Sequence, residues 1–310
     1  MQARDLLPLI DAAAARVYAV VKETPLVSMG DAFAKLEQLQ TTGSFKLRGA
    51  TNKLMSLDPD AARAGVVTSS TGNHGLGVAT AGQLLGIDVE VFLGSQVTQA
   101  KRGKILECGA RIRIIGASAL EAEVAARAAA AASGRAYVSP YNDPFVAAGQ
   151  GTIGVELTRQ APDLDAVFIA VGGGGLISGI GSHLRHAAPN AEIIGCWPEN
   201  SAVLYECLRA GRIFDVPESA TLSESTAGGV EENSITFDLC REVMHRGVLV
   251  TEGEILSAMR WAQRRGWAVE GASGVALAAY FKEAARYAGK KAVVLICGGN
   301  PSPAIAALLA

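Results

Sequence analysis

Short β-branched runs alternate with longer helical patterns through most of this chain, and that alternation limits its fold more than any other feature. Gly65–Ser69, Ile87–Phe92 and Arg111–Ile115 read as strands. Each precedes a helical stretch: His74–Leu85, Thr98–Cys108 and Ala119–Ala132. Ala166–Val171, Ile193–Cys196 and Ala292–Cys297 resume the strand pattern. Strand–helix–strand repetition requires right-handed crossovers and parallel sheets covered by helices on both faces. The class expected is α/β. Ser139-Pro-Tyr-Asn-Asp-Pro144 separates two such series and is the best internal boundary. Gly211–Asn233 is too long and irregular for an ordinary connection, which points to a functional loop.

Composition narrows the function. The 310 residues allow two domains or one large α/β unit, and 49 % apolar content excludes disorder. Lys and Arg number 28 against 30 Asp and Glu, with no basic stripe, so a nucleic-acid partner is not expected. Apolar runs such as Ala166–Val171 meet glycines far short of the ~20 residues that span a bilayer, so no membrane partner is expected either. Asp5 stands where a signal peptide would want positive charge, and a cytoplasmic protein is the expectation. Five cysteines without a Cys-x-x-Cys pair argue against disulfides and a zinc site. His183 and His186 read as a solvated helix face, and no metal site is expected.

In open α/β sheets, ligands bind beyond the carboxyl ends of the strands. Three turns there carry unusual sequence. Gly172-Gly-Gly-Gly175 follows a strand and opens a helix, so backbone N–H groups converge without Cβ obstruction at a positive helix end. A tight turn needs one or two glycines rather than four, and a phosphate cradle is the better reading. It is not a Walker loop, because no Gly-Lys-Ser/Thr follows. Glu192, about 20 residues on, keeps a dinucleotide reading open. Thr68-Ser-Ser-Thr-Gly-Asn-His74 also enters a helix, and five polar residues after Thr68 exceed what one cap requires; the segment reads as a carboxylate nest. Cys297-Gly-Gly-Asn300 ends the last strand and by itself is an ordinary turn. Lys46, in Gly43-Ser-Phe-Lys-Leu-Arg-Gly49, would by spacing alone be a surface charge. Desolvated beside phosphate-binding groups, a lysine can instead form a Schiff base.

Taken in order along the chain, these four segments resemble the fold-type II pyridoxal-phosphate enzymes, and among them the serine/threonine dehydratases. The resemblance runs from about Thr24 to Pro301. It implies two open, mostly parallel twisted sheets flanked by helices, as in the tryptophan synthase β chain. Residues 1–50 and 145–310 would form a large cofactor-binding domain and 51–144 a small domain that closes on substrate. It implies that Lys46 carries the Schiff base of pyridoxal 5′-phosphate and that Gly172, Gly173, Gly174, Gly175 and Leu176 hold its phosphate. Phe45, Asn73, Glu270, Cys297 and Asn300 would line the cofactor, with Asn73 at its 3′ oxygen and Cys297 at its pyridine nitrogen. Ser70, Thr71, Gly72 and His74 would bind the substrate carboxylate. Thr71 also takes the catalytic place where racemising relatives carry a serine. A homodimer is implied, since relatives are usually dimers.

The implied activity is elimination of water from a 3-hydroxy amino acid to give a 2-oxo acid and ammonia. A thiol at Cys297 cannot protonate the pyridine nitrogen as a carboxylate would, which favours β-elimination over transamination. Racemisation or β-replacement on the same cofactor is the alternative, and an NAD-dependent oxidoreductase using the glycine turn is the reading from another class. Departures from the family pattern are informative. Some dozen residues between Leu26 and Lys35 are missing or rebuilt. Trp197 stands where metal-activated relatives have a glutamate, and with ten residues after Asn300 a regulatory domain sensing isoleucine is not expected. Ser223–Phe237 resembles the hydroxyectoine-utilisation branch and is expected to face the substrate side chain.

Overall fold

The computed structural model describes residues 1–95, 97 and 99–309. Its ten strands are β1 (Leu26–Ser28), β2 (Phe33–Leu36), β3 (Val66–Ser69), β4 (Val89–Leu93), β5 (Arg111–Ile114), β6 (Ala136–Tyr137), β7 (Ala166–Ala170), β8 (Glu192–Pro198), β9 (Arg246–Val250) and β10 (Ala292–Ile296). They form two sheets, β1-β2-β10-β7-β8-β9 and β5-β4-β3-β6. Every pairing is parallel except β1 with β2. The α/β class with two mostly parallel sheets is as the sequence predicts.

Burial explains the strand order. β7 (AVFIA) and β10 (AVVLI) are buried at every position and lie inside the larger sheet. β5 alternates Arg111 and Arg113 with isoleucines and takes an edge, where charge discourages further pairing. The rebuilt stretch after Leu26 is the β1–β2 hairpin, which turns through Met29–Ala32. Four strands escape the β-branched pattern: β1 and β2 have three and four residues, β6 has two, and β9 opens with Arg246-Gly247. The helix expected from Thr98 runs over Gln99–Glu107, and Thr98 itself lies outside the described residues. His186 is exposed as expected, but His183 is half-buried, its Nε2 3.3 Å from Thr158 Oγ1, because the helices Gly175–Ala187 and Pro144–Gln160 pack there.

The helix Lys46–Met55 sits at the seam between the sheets. Its Leu47, Ala50 and Leu54 join the core beneath the smaller sheet, with Val66, Val78 and Val91. Gly49 meets Gly149 of the helix Pro144–Gln160 backbone to backbone; a Cβ on Gly149 would stand 2.6 Å from the Gly49 Cα. Arg48, fully buried, donates to Glu37 (2.8 Å) and to Glu156 (2.6 Å), and Lys35 also pairs with Glu156. Two buried cations thus face two buried carboxylates, and the pairing offsets their desolvation. Among the described residues no helix is long and apolar enough to cross a membrane.

Candidate active site

The turns after β3, β7 and β10 converge on the start of the helix Lys46–Met55. Gly43–Phe45 zips against the last turn: Phe45 N donates to Cys297 O (3.0 Å), Ser44 bridges Gly298, and Gly299 N donates to Gly43 O (2.9 Å). Gly43 takes φ +73°, and a Cβ there would stand 2.8 Å from Asn300 Oδ1, so glycine is required twice over. This zipper sets Lys46 at the rim of a cavity of about 180 Å³ that opens into a cleft of about 550 Å³. Lys46 Nζ donates to Pro140 O (2.9 Å) and lies 5.2 Å from the Phe45 ring centroid. Burial lowers its ammonium to about 8, against the opposing pull of Cys297 and Glu270. The amine is therefore partly neutral near pH 7–8.

The glycine turn forms the opposite wall of the small cavity, with Gly172–Gly175 and Leu176 all lining it. Gly174 precedes the helix Gly175–Ala187 at φ +85°, a left-handed conformation that favours glycine. A Cβ on Gly172 would stand 3.0 Å from the Thr226 backbone, and one on Gly173 would stand 2.5 Å from the Tyr141 ring. The turn is closed by Thr236 Oγ1, which donates to Gly173 O (2.6 Å). Bare backbone at a helix N-terminus is a site for an anion.

Ser70, Thr71, Gly72, Asn73 and His74 line the larger cleft, where the helix Asn73–Leu85 begins. His74 is buried, its ring 3.0 Å from Val138 O through Nε2. Burial, and Lys46 after it, push His74 down to about 3, so the ring is neutral and brings no positive charge to this nest. Nε2 carries the proton toward the carbonyl, and Nδ1 is buried without a partner among the described residues.

Glu270 links the turns. Its Oε2 accepts from Asn73 Nδ2 (2.7 Å) and Asn300 N (3.3 Å), and its Oε1 from Ser225 Oγ (2.8 Å). Asn300 Nδ2 in turn donates to Asn73 Oδ1 (2.8 Å). Burial raises the Glu270 carboxyl although these donors act against it. Cys297 is buried at the floor, 3.7 Å from Ser273 Oγ, and burial pushes its thiol up to about 12, so it is a neutral thiol at physiological pH.

The residues expected to hold the cofactor and the substrate thus gather around one cavity and its mouth, whereas Glu192 pairs with Arg246 and Tyr287. Pro140, Tyr141, Ser225, Ala227 and Thr236 belong there too, and their sequence gave only indirect signals. Ser139–Pro144 reads as a boundary, and Ser225–Thr226 lies in the irregular segment before Asn233. For Ser139–Pro144 the sequence signal is a break in pattern, which locates a loop without saying what it covers, whereas Ser225, Ala227 and Thr236 fall in Ser223–Phe237, the segment expected to face the substrate.

Residues 17–298 match a family described as pyridoxal-phosphate dependent enzymes. The chain is 38 % identical over 275 residues to the L-threonine ammonia-lyase of Thermotoga maritima, covering 88 % of this chain and 68 % of the relative. Among solved structures, the processed form of threonine deaminase isoform 2 from Solanum lycopersicum superposes with a TM-score of 0.92 at 31 % identity, covering 98 % of this chain and 92 % of the other. Serine racemase from Dictyostelium discoideum superposes with a TM-score of 0.89 at 31 % identity, covering 96 % and 98 %. The family match replaces the dinucleotide reading of the glycine turn. With the lysine, the bare glycine cradle and the Asn73–Glu270–Asn300 network around one cavity, and most of its length matched, the chain belongs to the pyridoxal-phosphate dependent enzymes.

Proposed function

We propose that this protein is a cytoplasmic, homodimeric lyase that converts a 3-hydroxy amino acid to a 2-oxo acid and ammonia. The observation that carries this reading is the neutral Cys297 thiol on the floor of the cavity that holds the Lys46 amine. Relatives named threonine ammonia-lyase and threonine deaminase support it. The homodimer and the cytoplasm rest on the family resemblance.

The residues fit pyridoxal phosphate. The cradle at Gly172–Gly175 has backbone where side chains would intrude, and a buried amine of lowered basicity shares its cavity. Gly172–Leu176 would hold the phosphate, Phe45 and Asn73 the ring and its 3′ oxygen, and Lys46 the aldehyde carbon. Glu270 and Asn300 would brace Asn73, and Cys297 would face the ring nitrogen. When bound, the cofactor supplies an electron sink for negative charge at the substrate Cα.

The chain's own residues do the rest. Ser70, Thr71 and Gly72 orient the substrate carboxylate at a helix start, where backbone donors and the helix dipole favour an anion. The His74 ring shapes that nest as a neutral wall. The Lys46 amine takes the Cα proton, for which its lowered basicity and fixed position suit it. A weak thiol donor at Cys297 stabilises charge on the ring poorly, so loss of the 3-hydroxyl as water is favoured over carbanion chemistry at Cα. The released enamine tautomerises to an imine, which takes up a water and releases ammonia to leave the 2-oxo acid. Thr71 stands on the cleft wall as the residue for any proton exchange with substrate.

Residues 51–144 would close on 1–50 and 145–310, a reading supported by the separate sheets. Glu224, Ser225 and Ala227 line the larger cleft, which supports a substrate with more side chain than threonine, as in hydroxyectoine breakdown. The test is a panel of serine, threonine, 3-hydroxyaspartate, 3-phenylserine and hydroxyectoine-derived amino acids, assayed for oxo-acid release beside chiral analysis. Oxo acid with unchanged chirality of residual substrate supports the lyase; racemisation without oxo acid overturns it.

A further inference from the structure

The segment Ser139–Asn142 touches both halves of the cofactor cavity. Pro140 O accepts from Lys46 Nζ (2.9 Å), while the Tyr141 ring backs the glycine turn so closely that Gly173 has no room for a Cβ. Asn142 N donates to Ser139 Oγ within the segment (3.0 Å), and further bonds that hold it come from distant parts of the chain. Asn142 Nδ2 donates to Glu231 Oε2 (2.8 Å), and Asn142 Oδ1 accepts from Ile235 N (3.0 Å). The Glu231 backbone N donates to Tyr141 Oη (3.0 Å). Glu231 is itself paired with Arg127 (2.8 Å), from the helix Ala119–Ser133 that packs on the smaller sheet.

We propose that Asn142 and Glu231 are positioning residues for the cofactor pocket, holding Pro140 O against Lys46 and the Tyr141 ring against the glycine turn. The inference rests on the reading of this cavity as the pyridoxal phosphate site. Neither side chain lines that inner cavity, so their effect passes through Pro140 and Tyr141. The chemistry at Asn142 is directional: its amide offers one donor to a carboxylate and one acceptor to a backbone N–H. An aspartate keeps the acceptor but sets a second carboxylate against Glu231.

The test uses full-length protein stripped of cofactor and titrated with pyridoxal phosphate, following the visible absorption band. Asn142→Asp should weaken cofactor binding about tenfold or more and broaden or shift the band, from the loss of one partly buried hydrogen bond and the repulsion of two carboxylates. The double variant Asn142→Asp with Glu231→Gln restores a bond in the reverse direction, glutamine donating to aspartate. Its affinity should return to within about threefold of the unmodified protein, which a general loss of packing would not permit. Circular dichroism of the cofactor-free variants checks the fold, and should Asn142→Asp fail to fold, Tyr141→Phe, which removes only the acceptor for Glu231 N, is expected to weaken binding by about threefold. Unchanged affinity in Asn142→Asp, or no recovery in the folded double variant, overturns the proposal. An unmodified protein that takes up no cofactor overturns the reading of the cavity as well, whereas cofactor uptake without oxo-acid release overturns the lyase reading alone.

Discussion

Asn73 Nδ2 donates to Glu270 Oε2 at 2.7 Å, joining the helix that follows β3 in the smaller sheet to the N-terminus of a helix packed on β10 in the larger. The two residues are 197 positions apart. This one bond ties the walls of the cleft together beside Lys46, and Ser225 brings the irregular loop to the same carboxylate.

Glu270 is a buried carboxyl raised by desolvation, so its charged form opposes folding. That cost is absent at pH below the ordinary carboxyl range and grows as pH rises through the unfolded pKa toward the raised folded value. Glu270→Gln can keep the Asn73 and Ser225 bonds by presenting its oxygen to one and its amide to the other. Relative to the unmodified protein, the cofactor-free variant should therefore gain thermal stability between pH 4 and pH 7. Melting midpoints across that range check it; a difference that shrinks with pH contradicts the assignment.

Lys46→Ala should abolish the cofactor's visible band with bound lysine and cut oxo-acid release by about 10²-fold or more. The fold should persist, because alanine at an early helix position costs nothing in propensity. Below about pH 8 the buried ammonium destabilises the folded state, and that penalty fades as pH rises toward 10.5. The cofactor-free variant should thus melt at or above the unmodified protein at pH 7. Retained turnover would remove Lys46 from the chemistry.

Uptake of pyridoxal phosphate by the stripped protein needs the neutral amine. With Lys46 lowered to about 8, the rate should fall about tenfold per pH unit below that point and level off above it. Stopped-flow absorbance from pH 6 to pH 10 measures this. A midpoint near 10.5, the ordinary lysine value, would mean that the cavity does not desolvate the amine.

Glu224 stands at the cleft with one oxygen held by Ser302 Oγ (2.9 Å). Replacing Glu224 and Ser225 by alanine should reorder the substrate panel, with threonine in the unmodified protein poorer than the best substrate by about tenfold. If threonine leads from the outset, or the order is unchanged, the loop does not read the side chain.

Trp197 is buried in the core with its ring 5.4 Å from that of Tyr205, and it offers no oxygen to a cation. Treatment with a chelator should leave oxo-acid release within about twofold, since Mg²⁺ and Ca²⁺ need oxygen ligands. Loss of activity restored by Mg²⁺ would show that other residues hold a metal.

The sequence by itself determined the α/β class, the main parallel strands and the segments that carry chemistry. Those properties are local: apolar periodicity, a run of four glycines, and Lys46 inside Ser-Phe-Lys-Leu-Arg. Short or weakly patterned strands escaped it: β1, β2 and β6 have two to four residues and β9 opens with Arg246-Gly247, too little periodicity to read before their neighbours pair with them. Tertiary structure alone decided the state of the groups. Lys46 becomes a weaker base because Pro140, 94 residues away, and the walls around it exclude water. His74 becomes a neutral wall because it is buried against Val138. The irregular loop reaches the site because Ser225 finds Glu270. Protonation and pairing depend on desolvation and on which distant donors arrive, and the chain acquires both only by folding.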